Sequence, residues 1–172
     1  MAFAALAAFF AFSVTRAGPG APTVMTGAYV AAVTLPLCAV DLRERRLPDA
    51  LVVPGFVYGA VMLGYRALAR GSPVWPALGL CAGALAVFAA LAVAGGLGMG
   101  DVKLAGMLAL TLGAGGFGAG AAVVGMCVAF VTAGLVALAG LIDALRTGDR
   151  SSSEIPFGPF LLAGFWIAVA VG

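Results

Sequence analysis

Seven apolar segments, each joined to the next by a short polar or glycine-rich connection, set the fold class of this 172-residue chain. They run over Met1–Thr15, Val24–Asp41, Asp49–Ala69, Val74–Leu97, Asp101–Gly115, Gly118–Ile142 and Ile155–Gly172. A hydrocarbon layer about 30 Å thick takes roughly 20 apolar residues of helix to cross. Backbone polar groups inside it must bond within their own segment, which favours helices. The expectation is an all-α polytopic transmembrane bundle of six or seven spans. It forms a single integral-membrane domain over residues 1–172, with residues 1–23 as an extra N-terminal span and loop. The first segment has the length of a signal-peptide core but no basic residue ahead of it, the first charge being Arg16, so it reads as a short span. The fifth is short and glycine-rich and need not cross fully.

Composition closes the alternatives. Hydrophobic residues make up 63% of the chain and charged residues 9%, against about 25% charged in a soluble domain. Such a chain lacks the polar surface of a soluble enzyme or a disordered segment. Its net charge of +2 gives no footing for a nucleic acid, and the expected surroundings are a lipid bilayer. There is no histidine, which excludes the zinc proteases and serine–histidine hydrolases that need an imidazole. Cys38, Cys81 and Cys127 lie far apart in apolar stretches without a CxxC pair. They read as buried small hydrophobes, and no metal or cofactor is expected.

If the chain alternates sides, the loops around 42–48, 98–100 and 143–154 share one face. That face carries Arg43, Arg45, Arg46, Lys103, Arg146 and Arg150, against Arg16, Arg66 and Arg70 opposite. Six against three places it in the cytoplasm. All seven acids, Asp41, Glu44, Asp49, Asp101, Asp143, Asp149 and Glu154, fall on the same side. The charge rule does not require this, so the face that gathers the carboxylates is where chemistry is expected.

A carboxylate at the edge of the hydrocarbon is costly and needs a reason. Asp41 ends the second segment and Asp101 opens the fifth, at the same depth and on the same side. Two aspartates at close range cannot both ionise freely, so they share a proton. The ionised partner activates water against a peptide carbonyl, and the protonated partner donates to the carbonyl oxygen. The plainer readings are a helix cap for Asp101 and a solvated ion pair of Asp41 with Arg43 or Arg45. Gly98 and Gly100, ahead of Asp101, allow conformations and a close approach that a Cβ would block. Asp49, following Pro48, suits a helix cap better than a catalyst. Lys103 either snorkels to the interface, holds Asp101 ionised or contacts substrate.

The segment Ile155–Phe160 (IPFGPF) opens the last span with two prolines around a glycine, which interrupts or delays the helix. Pro156, Gly158 and Pro159 form either an ordinary helix start or an irregular, substrate-facing wall. The pairs Gly55/Gly59, Gly79/Gly83, Gly96/Gly100 and Gly116/Gly120 read as close helix contacts.

AVDLRERRLPDALVVP, GMGDVKLAGMLAL and IPFGPFLLAG together resemble the three signature regions of the type IV prepilin leader peptidases, membrane aspartic proteases of the GxGD class. The likeness covers residues 30 to 165 or so, and the three regions occur in the right order and spacing. It implies Asp41 and Asp101 as the catalytic pair, with Gly98, Gly100, Lys103 and Asp49 in support. It also implies hydrolysis after a glycine, at the cytoplasmic face of the plasma membrane. The substrate would be a prepilin-like protein with a short basic leader and an apolar helix. The N-terminal domain with paired CxxC motifs found in larger members is missing from this sequence, which suggests a peptidase-only form without methyltransferase activity. The rival reading is a non-enzymatic transporter or secretion-system scaffold whose acids relay protons, bind a cation or merely cap helices.

Overall fold

The computed structural model describes residues 21–44, 47–94, 97–147 and 156–172. The segment Met1–Thr15 with Arg16, the residues Arg45, Arg46, Gly96, Asp149, Arg150 and Glu154, and the side chains of Glu44, Asp143 and Arg146 lie outside that description. The described residues form six helices and no strand. These are α1 (Ala21–Glu44), α2 (Asp49–Arg70), α3 (Trp75–Val93), α4 (Met99–Gly115), α5 (Ala119–Thr147) and α6 (Gly158–Val171). The fold is the helical membrane bundle that the apolar segments imply. α2, α3 and the stretch Ala119–Gly140 of α5 are long and apolar enough to cross a membrane, and α6 is a shorter apolar helix.

The ends of these helices follow from local chemistry. Pro48 stands in the N-cap position of α2 with extended backbone (φ −71°, ψ 123°), and Gly71 closes that helix in the left-handed region (φ 61°). Gly116 closes α4 in the same way (φ 96°), a conformation that costs a residue with a Cβ about 1–2 kcal/mol. α6 begins at Gly158 rather than at Ile155. Pro159 sits in its first turn, where no i−4 bond is required of its nitrogen, and Pro156 stays outside the helix.

At 17 residues, α4 rises about 25 Å, less than a full hydrocarbon layer. Its surroundings are protein: from Val102 to Gly115 every residue but Lys103 is buried, with α1, α2, α3 and α6 packed around it. Bilayer helices gain little from apolar burial alone, so close backbone approach carries the packing. Gly55 and Gly59 admit Met107 and Leu110 of α4 against α2. Gly106 and Gly113 admit Leu85 and Ala77 of α3. Gly125 and Gly164 bring the backbones of α5 and α6 into contact. Of the glycine pairs singled out in the sequence, Gly55/Gly59 is such a contact, and Gly96 of the pair Gly96/Gly100 lies outside the described residues. Gly79, Gly83 and Gly120 face open space, and Gly116 is a helix cap. Spacing marks which glycines share a helix face but not which face meets a neighbour. Cys81 is buried as expected, Cys38 is half-buried, and Cys127 is exposed on α5.

The bundle has two unlike ends. At one, Arg66 of α2 donates to the Gly113 carbonyl (2.8 Å), capping the C-terminal end of α4 where cations are favoured. At the other, the C-terminal end of α1 meets the N-terminal ends of α2, α4 and α6.

Candidate active site

Asp41 lies in the last turn of α1 and Asp101 in the first turn of α4. Both line one cavity of about 530 Å³ at the same end of the bundle. Its other walls are Leu47–Pro48, Asp49, the turn at 98–100 and Lys103. Asp49 and Lys103 are half-exposed and mark this level as the polar margin of the bundle.

Asp41 is only 5% exposed. Among the described residues it is the one acidic or basic side chain that is buried, so it is no solvated ion pair with Arg43. The backbone N–H of Gly158 donates to its Oδ2 at 3.0 Å. Two turns deeper, Trp166 Nε1 donates to Thr34 Oγ1 at 3.3 Å. Thr34 and Asp41 are seven residues apart and share a helix face, so these two bonds set α1 against α6 in register. Burial raises the Asp41 carboxyl above the ordinary carboxylate range, and the Gly158 amide opposes that rise.

Asp101 occupies the third position of α4, behind Gly98 at the N-cap. It is not the capping residue, though its carboxyl accepts the Gly98 amide, the reach-back half of a capping box. Burial first, and then the charge of Asp41, push its carboxyl up to about 6 despite that amide. The two aspartates therefore sense each other across the cavity. A carboxyl poised near neutral pH beside a second carboxyl is suited to sharing and transferring a proton.

The two glycines before Asp101 differ. Neither has a positive φ. At Gly98 (φ −78°, ψ 151°) a Cβ would make only ordinary contact. At Gly100 it would stand 3.0 Å from the Leu47 side chain. Close approach, and not backbone freedom, is thus the local reason for glycine here, and it applies to Gly100 alone.

Lys103 donates to both oxygens of Asp49, at 2.8 Å each, and its charge is spent there instead of on Asp101. Asp49 is the first residue of α2, one past Pro48 at the N-cap; it serves as that lysine's partner. The pair joins residues 54 positions apart, for which the sequence offers no local signal. Of the final motif, Gly158 abuts Asp41 from behind the cavity, whereas Pro156 and Pro159 do not line it. Phe157 packs between Phe88 (6.1 Å) and Phe130 (5.3 Å), which anchors the entry into α6. The Gly158 contact and the seat of Leu47 over Gly100 are features that sequence reasoning missed.

Fold and site define a helical membrane protein in which two carboxyl groups from distant parts of the chain converge at one end of the bundle. Residues 28–143, two-thirds of the chain, match the type IV leader peptidase family, and the chain belongs to that family. Membership makes it a protease. The matched region includes both Asp41 and Asp101 and stops before α6. No curated protein and no solved structure matches the chain.

Proposed function

We propose that this protein is a membrane-embedded aspartic endopeptidase that removes the leader from type IV prepilin-like substrates. Cleavage follows a glycine at the cytoplasmic margin of the plasma membrane, just before the substrate's apolar helix. The observation that carries the reading is the shared cavity of Asp41 and Asp101 at one end of the bundle, together with family membership. The six basic residues that loop alternation collects on this side, against three opposite, support its cytoplasmic orientation.

In the cavity a water held between the carboxyls loses a proton to the ionised aspartate as its oxygen attacks the scissile carbonyl carbon. The protonated aspartate gives its proton to the carbonyl oxygen, where charge develops. Collapse of the tetrahedral adduct breaks the C–N bond. The proton taken from water passes to the leaving amine, and the proton on the adduct's hydroxyl returns to the second aspartate. Leu47, Pro48 and Met99 supply apolar wall to the cavity beside the two aspartates.

The test is incubation of the purified, reconstituted protein with a prepilin-type substrate. The wild-type chain releases the leader, and Asp41→Asn and Asp101→Asn both abolish release while inserting normally. Retained cleavage by either variant overturns the assignment.

A further inference from the structure

We infer that Gly158 is a positioning residue: its backbone amide, at the N-terminal end of α6, holds Asp41 as the ionised member of the pair and leaves the shared proton to Asp101. The inference rests on the protease reading and adds an order to it. Asp41 takes the proton from water, and Asp101 donates to the carbonyl oxygen.

Three observations converge. First, the amide is committed to Asp41. In the first turn of α6 the Phe157 carbonyl accepts the amides of Phe160 (3.1 Å) and Leu161 (3.2 Å), and Pro159 has none to offer. Gly158 supplies a donor of that helix end with no intrahelical partner, and it points at Asp41 Oδ2. An N–H can only donate, so any proton on Asp41 is confined to Oδ1, and the positive end of the α6 dipole favours the ionised form over that neutral one. Asp101 accepts the Gly98 amide at the N-terminal end of its own helix, whereas Asp41 sits at the negative end of its own, so its support has to come from α6. Second, a side chain at 158 disturbs this bond. A Cβ at 158 would stand 2.6 Å from Asp41 Oδ2, so alanine displaces the carboxylate even though it keeps the amide.

Third, no cation replaces the amide. The ionisable groups near Asp41 are Cys38 and Arg43 on its own helix, Asp49 on α2, and Asp101 and Lys103 on α4. α6 carries no ionisable side chain. Lys103 is engaged by Asp49, and among the described residues Arg43 forms no salt bridge to Asp41.

The experiment follows the infrared band of protonated carboxyl groups in the reconstituted protein, a readout that needs no cleavage. In Asp101→Asn, Asp41 remains ionised at mildly acid pH and that band is lost. Adding Gly158→Ala to that background moves the Asp41 titration up by about one pH unit, a tenfold gain in proton affinity. In the otherwise wild-type chain, Gly158→Ala shifts the acid limb of kcat/KM upward and lowers kcat at least tenfold with little change in KM. A band that persists in Asp101→Asn overturns the inference, as does an Asp41 titration unmoved by Gly158→Ala. A rise in KM alone would reduce Gly158 to a wall contact and also overturn it. Should Gly158→Ala fail to fold, a band that persists in Asp101→Asn still overturns the inference. If the wild-type protein does not cleave a prepilin-type substrate, the protease reading fails, while the infrared result still judges the amide.

Discussion

Replacing Asp101 with asparagine should stabilise this protein at alkaline pH while removing its activity, because the site holds a carboxyl where a charge is unwelcome. Burial and the Asp41 charge raise Asp101 from 3.8 to about 6. A folded-state value above the unfolded one means that the folded state binds the proton more tightly. The resulting stability is fully present below pH 3.8 and is lost as pH rises through 6. Applied to those two values, the linkage relation makes the wild-type fold about 1.4 kcal/mol less stable at pH 8 than at pH 5. Partial exposure of the group trims that toward roughly 1 kcal/mol. For a chain of this length it corresponds to roughly 2–4 °C in Tm. Unfolding followed by tryptophan fluorescence in one detergent, at both pH values, measures it. Asp101→Asn should abolish most of this pH dependence and melt higher than wild type at pH 8, with leader cleavage below detection. A variant that melts lower at pH 8, or that keeps the full pH dependence, would refute the claim that Asp101 carries the penalty.

The other expectations concern packing and pairing. Gly98→Ala should leave stability within about 0.5 kcal/mol of wild type, whereas Gly100→Ala forces Leu47 aside and lowers both Tm and cleavage. Comparing the two by thermal melt and peptide cleavage checks the different roles of the glycines in GxGD. Gly164→Val drives a side chain into the backbone of α5 at Gly125 and should cost several kcal/mol, read as loss of folded protein on size-exclusion. Gly79→Ala, facing open space, should be neutral in the same assay. A double-mutant cycle with Asp49→Asn and Lys103→Gln should return a coupling below about 1 kcal/mol for this half-exposed pair.

Much of this was legible in the chain because of lengths and periods. An apolar stretch must become a helix in a bilayer, so the six expected segments within the described residues coincide with α1 to α6 to within about five residues. The prolines and glycines at 48, 71, 116 and 159 mark helix boundaries for reasons that act within a single turn. Alternation of short connections was enough to bring Asp41 and Asp101 to one end of the bundle, and the acids stood out because a bilayer penalises them. Long-range contacts were not legible. That Lys103 turns to Asp49 and not to Asp101, that Gly100 and not Gly98 needs its missing side chain, and that Gly125 meets Gly164 all depend on how helices rotate about their axes. Rotation is set by the sum of packing across several helices, and no residue encodes it locally. The Gly158 amide shows this most plainly: the sequence announces a helix start within Ile155–Phe160, but only the packing of α6 against α1 aims that helix end at a carboxylate 117 residues away.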